Sequence, residues 1–154
     1  MGALPPGSAR LDGGHRIVIL YKTKFVMSPS GKPVILVVDD DCDVRDALAD
    51  LLEDAGYQPV CKQHGREALQ YLHKQIPPAA VLLDLFMPEM NGWEFMQQLK
   101  AKPKLKGVPV IMVTGNQPHW GYPVPEGMVV RKPINPERLL ELLRGIIPSP
   151  AQVA

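Results

Sequence analysis

Apolar residues in this chain come in short unbroken runs, and each run ends on polar atoms. Val34-Ile35-Leu36-Val37-Val38 ends on Asp39-Asp40-Asp41, and Ala80-Val81-Leu82-Leu83 ends on Asp84. Val110-Ile111-Met112-Val113 ends on Thr114, and Met128-Val129-Val130 leads through Arg131 to Lys132-Pro133. Continuous, β-branched runs of this length predict strands buried on both faces. Tyr57 to Cys61 is a further short strand. Between the runs the apolar period becomes helical. Val44, Ala47, Leu48, Leu51 and Leu52 share one helical face, and Gly56 stops that helix. Gly65 to Lys74 is a weaker helix with Ala68, Leu69 and Leu72 inward, and another runs from Trp93 to about Lys100. The last helix has Asn135 as cap, Pro136 at its first position and a stripe of Leu139, Leu140, Leu143, Ile146 and Ile147, before Pro148 and Pro150 end it. Alternating strands and helices predict an α/β fold around a parallel sheet.

Two segments break the alternation. Gly115 to Gly127 holds three prolines and three glycines in thirteen residues, which predicts an irregular loop in place of an interior helix. Residues 1–32 are rich in Gly and Pro at the start, end in a linker-like Ser28-Pro29-Ser30-Gly31, and leave room for one short strand between His15 and Met27. They carry five basic residues against Asp12, a net +4, and read as a basic, flexible extension. Met27 offers a second beginning for the reading frame. The remaining 12 basic and 15 acidic residues leave the rest at −3, so no nucleic-acid footprint is expected there. Cys42 and Cys61 have neither a disulfide framework nor a metal-binding spacing and read as reduced thiols of a cytoplasmic protein. No apolar run approaches the roughly 20 residues of a membrane span.

Ligands of a parallel α/β sheet bind where the strands end. That edge therefore receives Asp39, Asp40 and Asp41, then Asp84, the Thr114 hydroxyl and the Lys132 ammonium, a set suited to a hard cation and a phosphoryl group. Asp41 and Asp43 have a simpler reading, as acidic residues at a helix N-terminus. His15, His64, His73 and His119 show no ligand spacing. Trp93 packs with its helix, and Trp120 is a candidate partner anchor.

This order of acidic cluster, lone Asp, Thr and Lys-Pro, each at a strand end, resembles the receiver domain of two-component response regulators over about residues 33–147. The stretch Val81 to Gly92, with Asp84-Leu85-Phe86-Met87-Pro88, is similar to that family's phosphoacceptor loop. The resemblance implies a flavodoxin-like doubly wound sheet of strand order 2-1-3-4-5. The extension would be residues 1–32, the receiver 33–148 and a tail 149–154. It makes Asp84 the phosphoacceptor, and Asp39, Asp40, Asp84 and the Phe86 carbonyl the ligands of Mg²⁺. Thr114 would bond a phosphoryl oxygen, Lys132 would pair with Asp84 or its phosphate, and the Lys132-Pro133 bond would be cis. The expected partners are a histidine kinase or a histidine phosphotransfer protein and a downstream protein, with no nucleic acid or membrane. Only a short tail follows the last helix, which implies a stand-alone receiver without an effector domain.

Two departures bear on output. Relatives pair the Thr with an aromatic residue three before the Lys, and Val129 stands there. The fourth helix of the family is short or replaced by the Gly115 to Gly127 loop. Two other functions stay open at this point. One is a receiver-like module that binds protein without phosphorylation. The other is a haloacid-dehalogenase-type phosphohydrolase, which the Asp39-x-Asp41 pattern permits but which lacks its later acidic motif, since only Glu137 and Glu141 follow Lys132.

Overall fold

The computed structural model describes residues 8–10, 16–20, 23–74, 77–115 and 128–147, with backbone alone over 8–10, 16–20 and 23–26. Three strands come first: β1 (Ser8–Arg10), β2 (Arg16–Leu20) and β3 (Thr23–Met27). Then follow β4 (Val34–Val38), α1 (Cys42–Asp54), β5 (Gln58–Lys62), α2 (Gly65–Lys74), β6 (Ala80–Asp84), α3 (Gly92–Lys100), β7 (Val110–Thr114), β8 (Val129–Arg131) and α4 (Pro136–Ile146). The apolar runs thus become strands and the amphipathic stretches become helices, with ends shifted by a residue or two.

Strands β5-β4-β6-β7-β8 form one sheet in that order, every neighbouring pair parallel. This is the expected order 2-1-3-4-5. Chain direction across the sheet reverses after β5, and the rule that such crossovers are right-handed then puts α1 and α4 on one face and α2 and α3 on the other. Alternate residues of each strand serve the two faces. Ile35 and Val37 of β4 join Leu48, Leu52, Leu139 and Leu143 of α1 and α4 in one core. Leu36 and Val38 join Leu69, Leu72, Phe95 and Leu99 of α2 and α3 in the other. All five residues of β4 are buried, as are all five of β6, and their large aliphatic side chains each contribute about 1.5–3 kcal/mol on leaving water.

The helix ends are capped as their sequences suggest. Asp41 caps α1 by accepting from the amides of Asp43 and Val44, and Gly56 follows that helix at φ +93°. Asn91 and Glu94 form a capping box on α3, and Asn135 caps α4. Of the α1 face, Leu48 and Leu52 are buried, while Ala47 is exposed and lines a groove on the surface.

The amino-terminal region differs from the expected extension with at most one short strand. Residues 8–27 contain three antiparallel strands paired as a meander, β1-β2-β3. The physical basis is the β-branched run Ile17-Val18-Ile19, which finds an antiparallel strand partner in Thr23 to Met27. Met27 ends the meander buried in the α1/α4 core and bridges to Pro33, and Ser28, also buried, closes the turn by accepting from the Lys32 amide. Residues 116–127, where a loop in place of the family's fourth helix is expected, lie outside the described residues, as does the tail from 148.

Candidate functional site

The sheet reverses its winding between β4 and β6, so the ends of these two strands flank a crevice. Asp39 follows β4 and Asp84 ends β6. Strand register sets the rest. Asp84 lies level with Val113, Thr114 with Arg131, and Lys132 is the next residue along. Asp39, Asp84 and Thr114 are buried, and Lys132 is half-buried. Carboxylate oxygens of Asp39, Asp40 and Asp84 all lie within 4.8 Å of one another.

Asp39 is the most heavily bonded member. Its Oδ1 accepts from the Asp41 amide at 2.9 Å, and its Oδ2 accepts from Lys132 Nζ at 2.9 Å. Its amide donates to the Lys62 carbonyl at 3.2 Å, and its own carbonyl accepts from Arg45 Nη1 at 2.7 Å. Asp84 accepts from the Phe86 amide at 3.2 Å, and Lys132 Nζ stands 3.6 Å from its Oδ2. Lys132 is thus shared between two carboxylates and sits closer to Asp39.

Three carboxylates against one half-buried ammonium leave a local excess of negative charge. Burial pushes the Asp84 carboxyl up from 3.8 to about 6; Asp39 and Asp40 push the same way, and the Phe86 amide and Lys132 oppose them. Burial alone would lower Lys132, but its hydrogen bond to Asp39 and the charges of Asp39 and Asp84 outweigh that and hold the ammonium above its ordinary value. A site of this kind gains from a cation. Its donors are all oxygens, and they converge without a thiol or imidazole among them, which fits a hard divalent ion such as Mg²⁺.

The acceptor loop is built by close contact. Gly92 donates its amide to the Leu85 carbonyl at 3.0 Å. A Cβ at this position would stand 2.8 Å from both the Asp84 carbonyl oxygen and the Leu85 Cα, so the loop folds back on the strand end only because residue 92 has no side chain. Glu89 turns the loop at φ +66°. The Lys132-Pro133 bond is cis. Phe86 is the one exposed large apolar side chain among the described residues. Beside Lys132, Val44, Ala47, Leu48 and Leu51 of α1 face Pro133 and Ile134 across an apolar groove of about 380 Å³.

The structure therefore brings Asp39, Asp40, Asp84, Thr114 and Lys132 to one edge, with Phe86 two residues past Asp84. Asp41 is the helix cap that its position suggests, and it also donates its amide to Asp39. Cys42 and Cys61 are free and exposed, Trp93 packs against the α2/α3 core, and Val129 is half-buried opposite Met112. His64 and His73 lie on or beside α2, and His15, His119 and Trp120 lie outside the described residues. Sequence reasoning did not single out Arg45. The available signal was a basic residue one turn into the helix that follows the acidic run.

The family model of the response regulator receiver domain matches residues 35–144. Response regulator Rre1 of Synechocystis sp. is 29% identical over 118 residues, 73% of this chain and 51% of that protein. The Helicobacter pylori chemotaxis protein CheY1 is 30% identical over 73% of this chain and 95% of its own length. Among solved structures, Vibrio cholerae chemotaxis protein CheY4 superposes with a TM-score of 0.65 at 29% identity, covering 75% of this chain and 99% of that one. The chain spans about half the length of several curated relatives it matches, including Rre1 and the ycf27 regulators. No helix among the described residues is long and apolar enough to cross a membrane.

Proposed function

This chain belongs to the response regulator receiver family, and we propose that residues 33–148 accept a phosphoryl group on Asp84 from a histidine kinase or histidine phosphotransfer protein. The observation that carries the reading is the state of Asp84: a buried carboxylate at a strand end, crowded by two others and reached by one lysine. In the reaction a carboxylate oxygen of Asp84 forms a bond to phosphorus as the bond from phosphorus to the donor imidazole nitrogen breaks. The electron pair of that bond returns to the imidazole. Lys132 neutralises charge on the phosphoryl oxygens, and the Thr114 hydroxyl at the end of β7 bonds one of them. Asp39, Asp40, Asp84 and the Phe86 carbonyl would hold Mg²⁺, which supplies positive charge to the transferring group. The apolar groove beside Lys132 offers the phosphodonor protein a surface next to the acceptor. Two exposed free thiols suit a reducing, cytoplasmic setting. On this reading the chain is a regulator that acts through protein contact, not an enzyme acting on a metabolite, and family membership speaks against a haloacid-dehalogenase-type phosphohydrolase.

One observation favours a second reading of the output. Val129 has no ring to rotate or to hydrogen-bond, so a Thr-aromatic relay lacks its second member. A receiver-like module that binds its partner with or without phosphate would not need one. Incubation with acetyl phosphate and Mg²⁺, followed by intact mass, tests the first reading. One base-labile phosphoryl group is expected on the native chain and none on Asp84→Asn. Labelling that survives the substitution places the nucleophile elsewhere, and a native chain that takes no phosphoryl group leaves the binding module as the better reading.

A further inference from the structure

Asp40 differs from its neighbours in the acidic cluster. It is exposed, and its carboxylate makes no hydrogen bond among the described residues, whereas Asp39 is bonded at both carboxylate oxygens and both backbone groups. Yet a carboxylate oxygen of Asp40 sits within the same 4.8 Å cluster as those of Asp39 and Asp84. An exposed side chain with no partner of its own is aimed mainly by its backbone. The backbone that leads into Asp40 is held at two points. The Asp39 amide is tied to the Lys62 carbonyl of β5, and the Asp39 carbonyl accepts from the Arg45 guanidinium at 2.7 Å. Arg45 lies on α1, is half-buried, and bonds to no carboxylate in the described structure.

We infer that Arg45 is a positioning residue: by gripping the Asp39 carbonyl it fixes the Asp39–Asp40 peptide and so holds the Asp40 carboxylate ready to bind Mg²⁺. The inference rests on the metal-site reading given above. Supports one bond removed from the ligands commonly change metal affinity about 10–100-fold, because an unsupported ligand must be ordered when the ion binds. The charge of Arg45 acts in the opposite direction. A nearby guanidinium repels a cation, so loss of its charge alone would tighten Mg²⁺ binding, and more so at low salt. The two effects therefore have opposite signs.

Calorimetric titration of the full chain with Mg²⁺ separates them, with thermal unfolding in EDTA as a check on folding. Arg45→Met should weaken Mg²⁺ binding about tenfold at high salt, where the opposing charge effect is screened, and somewhat less at low salt. Arg45→Lys keeps the charge and a donor but not the planar fork, and should fall between the two. In an Asp40→Ala background, Arg45→Met should cause little further loss, because the residue it positions is already gone. Unchanged or tighter binding in Arg45→Met overturns the inference and leaves Arg45 a surface charge. Full additivity with Asp40→Ala also overturns it, as does a loss of binding matched by a loss of folding in both Arg45 variants. Binding lost in Asp40→Ala but kept in Arg45→Met leaves the metal site standing and removes only the role of Arg45. A native chain that binds no Mg²⁺ removes both.

Discussion

Replacing Asp84 by asparagine should stabilise the metal-free protein, although Asp84 is the residue on which its proposed function depends. Asparagine is nearly isosteric, keeps an oxygen to accept from the Phe86 amide, and removes a charge from a buried cluster. The carboxyl moves from 3.8 to about 6 in the folded chain. At about 1.4 kcal/mol per unit, ionised Asp84 costs the native state on the order of 3 kcal/mol. The new amide group faces Lys132, a donor against a donor, so a net gain of roughly 2 kcal/mol is expected. For a chain of this size that raises the Tm by about 4–8 °C. The sign with pH follows from the direction of the shift. The folded value lies above the unfolded one, so the penalty is absent below about pH 4, grows between about pH 4 and 6, and is complete above that. Thermal unfolding in EDTA across pH 4 to 8 should therefore show a variant slightly less stable than the native chain in acid, where only the amide–Lys132 contact counts, and more stable near pH 8. Added Mg²⁺ should narrow the gap by favouring the native carboxylate. A variant no more stable than the native chain at pH 8, or one equally stabilised at pH 4, would refute the charge-crowding account.

Two further outcomes follow from packing. Gly92→Ala drives a methyl group into the Asp84 carbonyl and the Leu85 backbone, and should cost on the order of 2–4 kcal/mol in denaturant unfolding; a loss below 1 kcal/mol would mean that the loop moves aside. A chain beginning at Met27 keeps every pairing of the five-stranded sheet and should melt within a few degrees of the full chain, while Met27→Ala should cost about 2–3 kcal/mol through the cavity it leaves. A collapse of the shortened chain would show that the meander covers part of the core.

Strand positions, helix faces and the delivery of Asp39, Asp84, Thr114 and Lys132 to a single edge were legible in the sequence. These depend on local periodicity and on one topological rule, that strands of a parallel sheet end on the same side. The caps Asp41 and Asn135 were legible for the same reason, since a cap reaches only two or three residues along the chain. The three paired strands between residues 8 and 27 were less so, because Gly, Pro and charged residues break up their apolar pattern and their pairing is mostly with one another. The preference of Lys132 for Asp39, the crowding that lifts Asp84, and the grip of Arg45 on the Asp39 carbonyl come from tertiary structure alone. Each depends on distances between atoms that the chain brings together from separate elements, and on burial, which multiplies the strength of every charge it removes from water. Sequence periodicity specifies which side chains reach the site, and three-dimensional packing decides which of them touch and at what electrostatic cost.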